Sequence, residues 1–488
     1  MIPVEVNFYL FIAVSVVFAC IGFSAAKRQK SVSDYFHHSS LTKNVFSLSA
    51  TNITLGTGLV YLITGAQRNG LLMLLPVFCV GIGYWLLSEF IERAASITTR
   101  SGKNFLASVD AEIRIATGKS SIFAIVVSLS LVFVFVLLLA FEIFASSKVI
   151  SPFLFKTPRP SSEVALSILI FCVTVLYALL GGIRATFGVD FVQVPLICLF
   201  LPIFVISAIP EWNHPIRVIS RLGENFKTDA NVVVAIVIAC MNSLATQFYS
   251  LLNWGAVSNM ELSNQRKMLR RVGLATTVVL AFFVLVGLLH QKGTTGEAWQ
   301  DLVMHFSTLG HSVSIKGYLF SGIITLGMAS ILLTTTDAVV VNCVLFTYDN
   351  VFGGDSKAIE SNPRALRTIR LIGTVAFGAC FAVLCAINYL QPDPFYLLLS
   401  MAGGVVVFAP MIITAGFLAS KNNSLKVFTR WVVLAYLSIF IAAGIADVIF
   451  LTRRSSLVPY IGLSSFIAAS ILSLVLLLRM KLNGTEGK

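Results

Sequence analysis

The chain has 488 residues, of which 57% are hydrophobic and only 12% are charged. A soluble domain carries about 25% charged residues, so this composition excludes an ordinary soluble protein. The net charge of +13 could indicate a nucleic-acid partner, but 24 of the 35 Lys and Arg residues fall in alternate loops between apolar segments or at the segment ends that adjoin those loops. Basic residues concentrated on one side are the positive-inside signal of an inner-membrane protein, so no nucleic-acid partner is expected.

Apolar segments of about twenty residues recur along the whole chain, and each is long enough to cross a bilayer. We therefore predict an all-α polytopic membrane protein surrounded by lipid, with a single membrane domain over residues 1–488. The N-terminus is expected outside and the C-terminus in the cytoplasm, because this orientation places the basic loops inside. The thirteen predicted spans are 8–25, 45–66, 72–92, 120–147, 163–181, 187–209, 230–253, 272–290, 317–346, 370–390, 394–417, 428–449 and 457–479.

Spans 2–6 and 7–11 form two groups of five, over residues 45–209 and 230–417. Because each group has an odd number of spans, spans 2 and 7 cross the membrane in opposite directions. This orientation is that of an inverted repeat, in which solute and ions bind at the midplane between discontinuous helices. One extra N-terminal helix (8–25) and two extra C-terminal helices (428–479) complete the chain. Hydropathy alone allows this arrangement without establishing it.

Span 2 is unusually polar for a membrane segment. Small and hydroxyl-bearing residues crowd its centre: Ser47, Ser49, Thr51, Asn52, Thr54, Gly56, Thr57 and Gly58. This pattern is typical of a discontinuous helix that exposes carbonyl groups to a cation. It is equally typical of close helix packing through small residues. Both interpretations are open at this point.

The outer loop over residues 291–316 carries apolar residues at helical spacing, namely Trp299, Leu302, Val303 and Phe306. This spacing predicts an interfacial helix that lies along the outer surface.

Span 9 carries an acid at its centre. Ser330, Thr334 and Asp337 are spaced to share one helix face. A threonine hydroxyl can be satisfied by its own helix, but a carboxylate at this depth normally faces a cavity, an ion pathway or a partner. Since Lys and Arg occur in the predicted spans only at their ends, either a bound cation neutralises Asp337 or the acid is protonated. A neutral acid tied into helix packing is the alternative.

Two more acids in or at predicted spans are candidate functional residues. Asp190 begins span 6, where it is either a first-turn acid favoured by the helix dipole or a cation ligand. Glu142 lies well inside span 4, where it either faces the same central cavity or is partly satisfied by Lys148.

Four segments together resemble the sodium/solute symporter family, whose members have the LeuT-type five-plus-five inverted-repeat fold. They are "SVSDYF" before span 2, "SATNIT" in span 2, "GGIRATFGVDFVQ" leading into span 6, and "TTTDAVVVNCVLFTYDNVF" in span 9. Their order runs from residue 31 to residue 352, and the remaining spans fit the family's thirteen-helix layout.

The resemblance implies two cation sites. The first would use the backbone carbonyls of Ala50, Ile53 and Ser330 and the hydroxyl of Thr334. Leu333 stands where the family has a second Ser or Thr, and leucine offers a hard cation no side-chain oxygen.

The second implied cation site would use Asp190, Thr336 and Asp337, and here an aspartate at position 337 replaces the family's small hydroxyl residue. The sequence thus loses an oxygen at the first site and gains a carboxylate at the second. These changes favour coupling through the second site, or coupling by protons in place of sodium. Sodium is the only metal expected, and no cofactor other than this coupling ion.

The solute contacts implied by the resemblance, together with the polar residues of the core spans, are Thr51, Asn52, Gln67, Glu142, Thr246, Gln247 and Tyr249. Leu251 and Leu252 occupy the place of a Gln-Arg pair that the family often has. An ionised Glu142 facing the cavity would favour a solute with an amine or several hydroxyls, and it argues against a simple anion.

The leading hypothesis is cation-coupled uptake of a small polar solute by alternating access, with one repeat group rocking against the other. The alternative is a transporter-like sensor that binds a solute without moving it, its output supplied by an unidentified membrane or signalling partner protein. The six histidines lie in loops or at span ends, and no activated nucleophile or metal cluster is recognisable, so an enzyme is not expected.

Overall fold

The computed structural model describes residues 3–29, 31–36, 41–101, 105–117, 122–155, 157–208, 230–258, 260, 262–289, 298–310, 315–354, 363–392, 397, 406–419, 430–452 and 458–485. Within these residues nearly all of the chain is helical, and no strand is present. The predicted all-α class is therefore confirmed.

The first helices, in chain order, are α1 (Pro3–Arg28), α2 (Val32–Phe36), α3 (Leu41–Thr51), α4 (Ile63–Asn69), α5 (Leu74–Ser101), α6 (Phe105–Thr117), α7 (Phe123–Leu154) and α8 (Pro160–Ala208). A π-helical segment, Leu55–Leu62, lies between α3 and α4, and a 3₁₀ turn, Gly70–Met73, precedes α5. The later helices are α9 (Ala230–Tyr249), α10 (Leu251–Ser258), α11 (Leu262–Leu289), α12 (Ala298–Gly310), α13 (Ile315–Asn350), α14 (Pro363–Leu390), α15 (Phe408–Ala419), α16 (Arg430–Thr452) and α17 (Val458–Thr485).

Ten helical stretches among the described residues are long and apolar enough to cross a membrane. Two of them, Leu55–Ile91 and Pro160–Ser207, each contain two of the predicted spans. A shorter apolar helix, Phe408–Leu418, falls within predicted span 394–417, most of which lies outside the described residues. The ten stretches and this helix thus account for all thirteen predicted spans, and the protein is a multi-pass membrane protein.

Helix α8 is kinked at a glycine. Its 49 residues would extend about 73 Å as one straight helix, more than twice the thickness of the hydrocarbon core. Gly182 interrupts it with φ +54°, and a Cβ there would lie 2.5 Å from the carbonyl oxygen of Tyr35. The Tyr35 hydroxyl donates to the carbonyl of Leu179 (2.9 Å), and Asp34 pairs with Arg184. The Asp-Tyr-Phe segment therefore packs on the Gly-Gly segment and holds this turn.

The membrane helices form two packing groups. In the first, called here the broken-helix group, α5 packs against α9 and α11, and α11 also contacts α3 and α4. In the second, called the support group, α13 packs against α7 and α8, α14 packs against α7, and α1 packs against α8. Each group therefore contains helices from both predicted repeats.

The helix predicted in the outer loop is present as α12. Its apolar residues Trp299, Leu302, Val303 and Phe306 are buried, and the helix packs on α7 and α13. The predicted helix is confirmed, but its apolar face covers the protein itself.

Candidate cation and solute sites

Span 2 is interrupted at its centre. Helix α3 ends at Thr51 and the π-helical segment begins only at Leu55, with non-helical backbone between them. Inside this break the amide of Ile53 donates to the carbonyl of Ala50 (3.0 Å). The carbonyls of Thr51 and Ile53 accept from the hydroxyl of Thr335 on α13, at 3.1 and 3.5 Å. Of the two interpretations of this span, the discontinuous helix is the one that the structure bears out.

Span 7 is interrupted as well, at Ser250 between α9 and α10, and hydrogen bonds join the two breaks. The side-chain amide of Asn52 donates to the hydroxyl of Tyr84 (2.7 Å), which donates to Oδ1 of Asn253 (2.9 Å). The amide nitrogen of Asn253 donates to Oε1 of Gln247 (3.0 Å). Both predicted repeats therefore begin with a discontinuous helix, which is the position where transporters with inverted repeats bind their cargo.

Two buried acids lie between α8 and α13. Asp337 and Asp190 are 0% and 5% exposed, and they are close enough to interact electrostatically. Tyr177 donates to Oδ2 of Asp337 (2.9 Å). Among the described residues, neither Oδ1 of Asp337 nor either oxygen of Asp190 has a hydrogen-bond partner, although Ser47 lies beside Asp190. Such oxygens are costly to bury unless a cation or a proton neutralises them, so this pair fits a cation site.

The ligands expected for the first cation site are brought together only in part. The hydroxyl of Thr334 donates to the carbonyl of Ser330 (2.9 Å) and to Gln193, so it is turned away from the break in span 2. The hydroxyl that reaches the break belongs to Thr335. Successive helical residues point about 100° apart, so a shift of one position decides which hydroxyl faces the carbonyls. Leu333 is buried and offers no side-chain oxygen.

Thr336, the third residue expected at the second cation site, lies beside the acid pair. Its hydroxyl donates to the carbonyl of Leu332 (2.9 Å) and to the hydroxyl of Thr174 (3.3 Å). The structure thus brings Asp190 and Asp337 together, with Thr336 directed at α8 next to them.

A cavity of about 230 Å³ lies between the two packing groups. It is lined by five of the residues expected to contact solute, namely Thr51, Asn52, Thr246, Gln247 and Tyr249. Gln67, which lies on α4, is not part of the lining, and neither is Glu142. No Asp, Glu, Lys, Arg or His is among the described residues that form the wall.

The wall of the cavity contains both polar and apolar side chains. Among the polar ones, Tyr249 donates to Oδ1 of Asn242 (2.9 Å) and its hydroxyl lies 2.8 Å from that of Thr246. The buried hydroxyl of Thr276 has no partner within the described part of the chain. The apolar ones include Val77, Val80, Val134, Phe135 and Leu138. The cavity therefore suits a small uncharged molecule with both polar and apolar surface.

Glu142 lies behind this wall and is only 2% exposed. Its Oε1 accepts from the hydroxyls of Thr54 (2.7 Å) and Thr57 (3.4 Å), and its Oε2 accepts from the amide of Gly56 (2.9 Å). Lys148, the other expected partner, donates instead to Gln391 (2.7 Å). The carboxylate therefore caps the start of the π-helical segment, where the helix dipole favours a negative charge.

Several residues of these sites were not identified from the sequence: Thr335, Tyr177, Tyr84, Asn242 and Asn253. Each is a polar side chain within a predicted span, and that is the signal by which it could have been found.

A second, smaller cavity of about 40 Å³ lies on the other side of Thr51. Polar residues of α3, α8 and α13 line it, including Asn44, Ser47, Thr186 and Asn342. Because Ser47 also lies beside Asp190, this cavity adjoins the acid pair.

No family model matches the chain, and no curated protein matches it. Among solved structures, the chain is similar to the substrate-bound, outward-open state of a Na⁺-coupled sialic acid symporter, a structure reported to reveal a novel Na⁺ site. The TM-score is 0.68, the sequence identity is 14%, and the match covers 96% of this chain and 97% of that one. The two chains therefore share an overall fold. At this identity the similarity concerns the fold and leaves ion and solute to be argued from the residues.

Proposed function

We propose that this protein is a secondary active transporter that couples a cation to the movement of a small uncharged polar solute. The observation that carries the proposal is the buried acid pair, Asp190 and Asp337, which lies next to a broken helix. Three of its four carboxylate oxygens have no hydrogen-bond donor among the described residues. The symporter fold supports the same conclusion.

The coupling ion is sodium or a proton. Asp190, Asp337 and Ser47 would supply oxygen ligands to a sodium ion, and either carboxylate could instead hold a proton. The first cation site is the weaker candidate, because Leu333 adds no oxygen and Thr334 points toward Gln193. Coupling through the acid pair is therefore the version that the side chains support best.

The solute is neutral. A charged molecule would leave water for a wall in which the described residues carry no opposite charge, and a desolvated charge without a partner is costly. An ionised Glu142 would not contact an amine in the cavity, because its carboxylate binds Thr54 and Gly56 and does not line the cavity.

The cavity lies at the interface of the broken-helix group and the support group, and each group contains spans from both predicted repeats. We therefore expect alternating access to move these two packing groups against each other, rather than one repeat against the other. The protein is placed in the bacterial inner membrane with its N-terminus outside, on the distribution of basic residues.

The first test is the thermal midpoint of the purified protein in detergent, scanned over sodium concentration and over pH, with potassium holding ionic strength constant. An ion that binds only the folded state stabilises it by about 2.7 kcal/mol at a hundredfold excess over Kd, and the midpoint rises accordingly. A sodium-specific rise that is lost in Asp337→Asn supports sodium coupling. A pH dependence that is lost in the same variant supports protons. No response to either ion contradicts coupling and favours the sensor.

The solute class is tested with the same midpoint and a panel of probes at equal concentration. Myo-inositol, glucose and uridine are neutral, proline is zwitterionic, choline is a cation and sialic acid is an anion. We expect stabilisation by neutral probes, lost in Asn242→Ala and kept in Gln67→Ala, which lies outside the cavity. Stronger stabilisation by choline or sialic acid than by any neutral probe would show that the solute is charged.

A further inference from the structure

We infer that Glu142 is a positioning residue: its carboxylate holds the second half of broken span 2 in place and fixes the direction of two hydroxyls in the cavity wall. The inference rests on the proposed function, because that wall is the proposed solute site. It assigns Glu142 a role other than direct contact with solute.

Every side-chain hydrogen bond of Glu142 goes to one short segment of span 2. Glu142 belongs to α7 of the support group, whereas Thr54, Gly56 and Thr57 lie at the start of the π-helical segment, which links α3 to α4 of the broken-helix group. Both carboxylate oxygens have donors: Thr54 lies 2.7 Å from Oε1, and the amide of Gly56 lies 2.9 Å from Oε2. A charged acceptor makes these bonds about twice as strong as bonds between neutral groups.

The backbone at Gly56 leaves room for the carboxylate of Glu142 to approach. A Cβ on Gly56 would lie 2.8 and 2.9 Å from the two carboxylate oxygens and 2.6 Å from the ring of Phe141. Only glycine leaves room for this approach, so Gly56 and Glu142 form one structural unit. Gly56, one of the small residues that crowd the centre of span 2, therefore leaves the space that the carboxylate of Glu142 occupies.

Glu142 also fixes the direction of two hydroxyl protons in the cavity wall. Thr54 and Thr57 both line the cavity, and both donate their hydroxyl protons to Glu142. The hydroxyl of Thr54 also accepts from the backbone amide of Thr57 (2.9 Å). A hydroxyl has one proton, so with that proton engaged it can only accept hydrogen bonds from a molecule in the cavity. Glu142 thereby sets the polarity of this part of the wall without touching the solute.

The test is hydrogen–deuterium exchange of the full-length protein in detergent, comparing Glu142→Gln with the wild type. An amide has one acceptor oxygen in place of two, so either Gly56 or Thr54 loses its acceptor. We expect amides of residues 55–62 to exchange about tenfold faster, with α8 and α13 unchanged. Glu142→Asp, which keeps both acceptor oxygens, should restore most of the protection.

Gly56→Ala should raise exchange over the same residues, because its Cβ displaces the carboxylate. The matched control is Ser146→Ala, one turn further along α7, where the buried hydroxyl has no partner within the described residues. Exchange in Glu142→Gln that equals this control, or that rises equally throughout the protein, would overturn the inference.

The same samples separate this inference from the proposed function. Glu142→Gln should keep the response of the thermal midpoint to sodium or pH, because the acid pair is intact. Asp337→Asn should lose that response and keep wild-type exchange at residues 55–62. Loss of one effect without the other shows which of the two proposals has failed.

Discussion

Glu142 and the pair formed by Asp190 and Asp337 are buried carboxylates in the same membrane protein, yet their surroundings differ. Both oxygens of Glu142 accept hydrogen bonds from a helix start and from threonine hydroxyls. Among the described residues, the pair has a single donor, Tyr177, for its four oxygens. Hydrogen bonds to both oxygens offset the cost of burying a carboxylate, whereas a carboxylate without such donors requires a cation or a proton. The contrast therefore separates a structural acid from a ligand-binding acid.

The comparison also explains why depth in the membrane does not by itself identify function. All three acids lie within membrane-spanning stretches and are at most 5% exposed. What differs is the partner set, and this depends on which helix packs opposite. Substituting these acids and their hydrogen-bond partners one at a time should therefore distinguish the two kinds of carboxylate.

The largest effect is expected for Glu142→Ala, which leaves the amide of Gly56 and the hydroxyl of Thr54 without an acceptor. We expect the free energy of unfolding in detergent micelles to fall by about 3 kcal/mol, measured by denaturant titration. Ser146→Ala should change it by less than about 1 kcal/mol. Equal effects of the two variants would mean that the carboxylate stabilises nothing.

Asp190→Asn should have the opposite sign. Replacing an unsatisfied carboxylate by a neutral amide removes its desolvation cost and its repulsion from Asp337, so the cation-free protein should gain about 2 kcal/mol. The measurement is the thermal midpoint in sodium-free buffer at alkaline pH. The cation-dependent rise should shrink at the same time.

Asp447→Asn is the matched control for Asp190→Asn. Asp447 is another buried acid, on α16, with an oxygen that lacks a partner within the described residues. Its substitution should leave the cation response intact. A loss of that response in Asp447→Asn would show that the midpoint reports general charge burial and not a site.

The sequence predicted the fold well because membrane helices are specified by local composition. A run of apolar residues identifies a span wherever it packs, and the crowding of polar residues around Asn52 marks the break in span 2. The break at Ser250 was not predicted, since span 7 has no glycine or proline at that point.

The sites could be predicted only in part, because partners across an interface are not encoded in one segment. The depth of Glu142 is evident from its apolar neighbours, but its contact with Gly56 depends on how α7 meets the π-helical segment. Likewise, the run of three threonines shows that a hydroxyl faces span 2 without showing which one. A rotation of about 100° distinguishes Thr334 from Thr335, and tertiary packing decides it.

Tyr177→Phe should sharpen the difference between the two carboxylate sites. It removes the hydroxyl that donates to Asp337, so the cation-free protein should lose about 1.5 kcal/mol. The cation-bound protein should lose less, because the ion supplies the missing positive partner. The rise of the thermal midpoint on adding the coupling ion should therefore be larger than in the wild type, and a smaller rise would show that Tyr177 is itself a ligand.

The smallest and most discriminating effect is expected from Thr335→Val compared with Thr334→Val. The Thr335 hydroxyl lies within hydrogen-bond distance of the carbonyls of Thr51 and Ile53, as well as that of Ile331 on its own helix. The acceptors within reach of the Thr334 hydroxyl are Ser330 and Gln193. We expect Thr335→Val to cost about 1 kcal/mol and to raise amide exchange around the break, and Thr334→Val to leave exchange there unchanged.

The family resemblance makes the reverse prediction, since it assigns the cation-binding hydroxyl to Thr334. Titrating the coupling ion against both variants distinguishes the two assignments. If Thr334→Val alone weakens the ion response, the ion binds at the first site in a conformation in which α13 presents a different face to the break. If neither variant weakens it while Asp337→Asn does, the break in span 2 is a structural joint and the acid pair alone holds the ion.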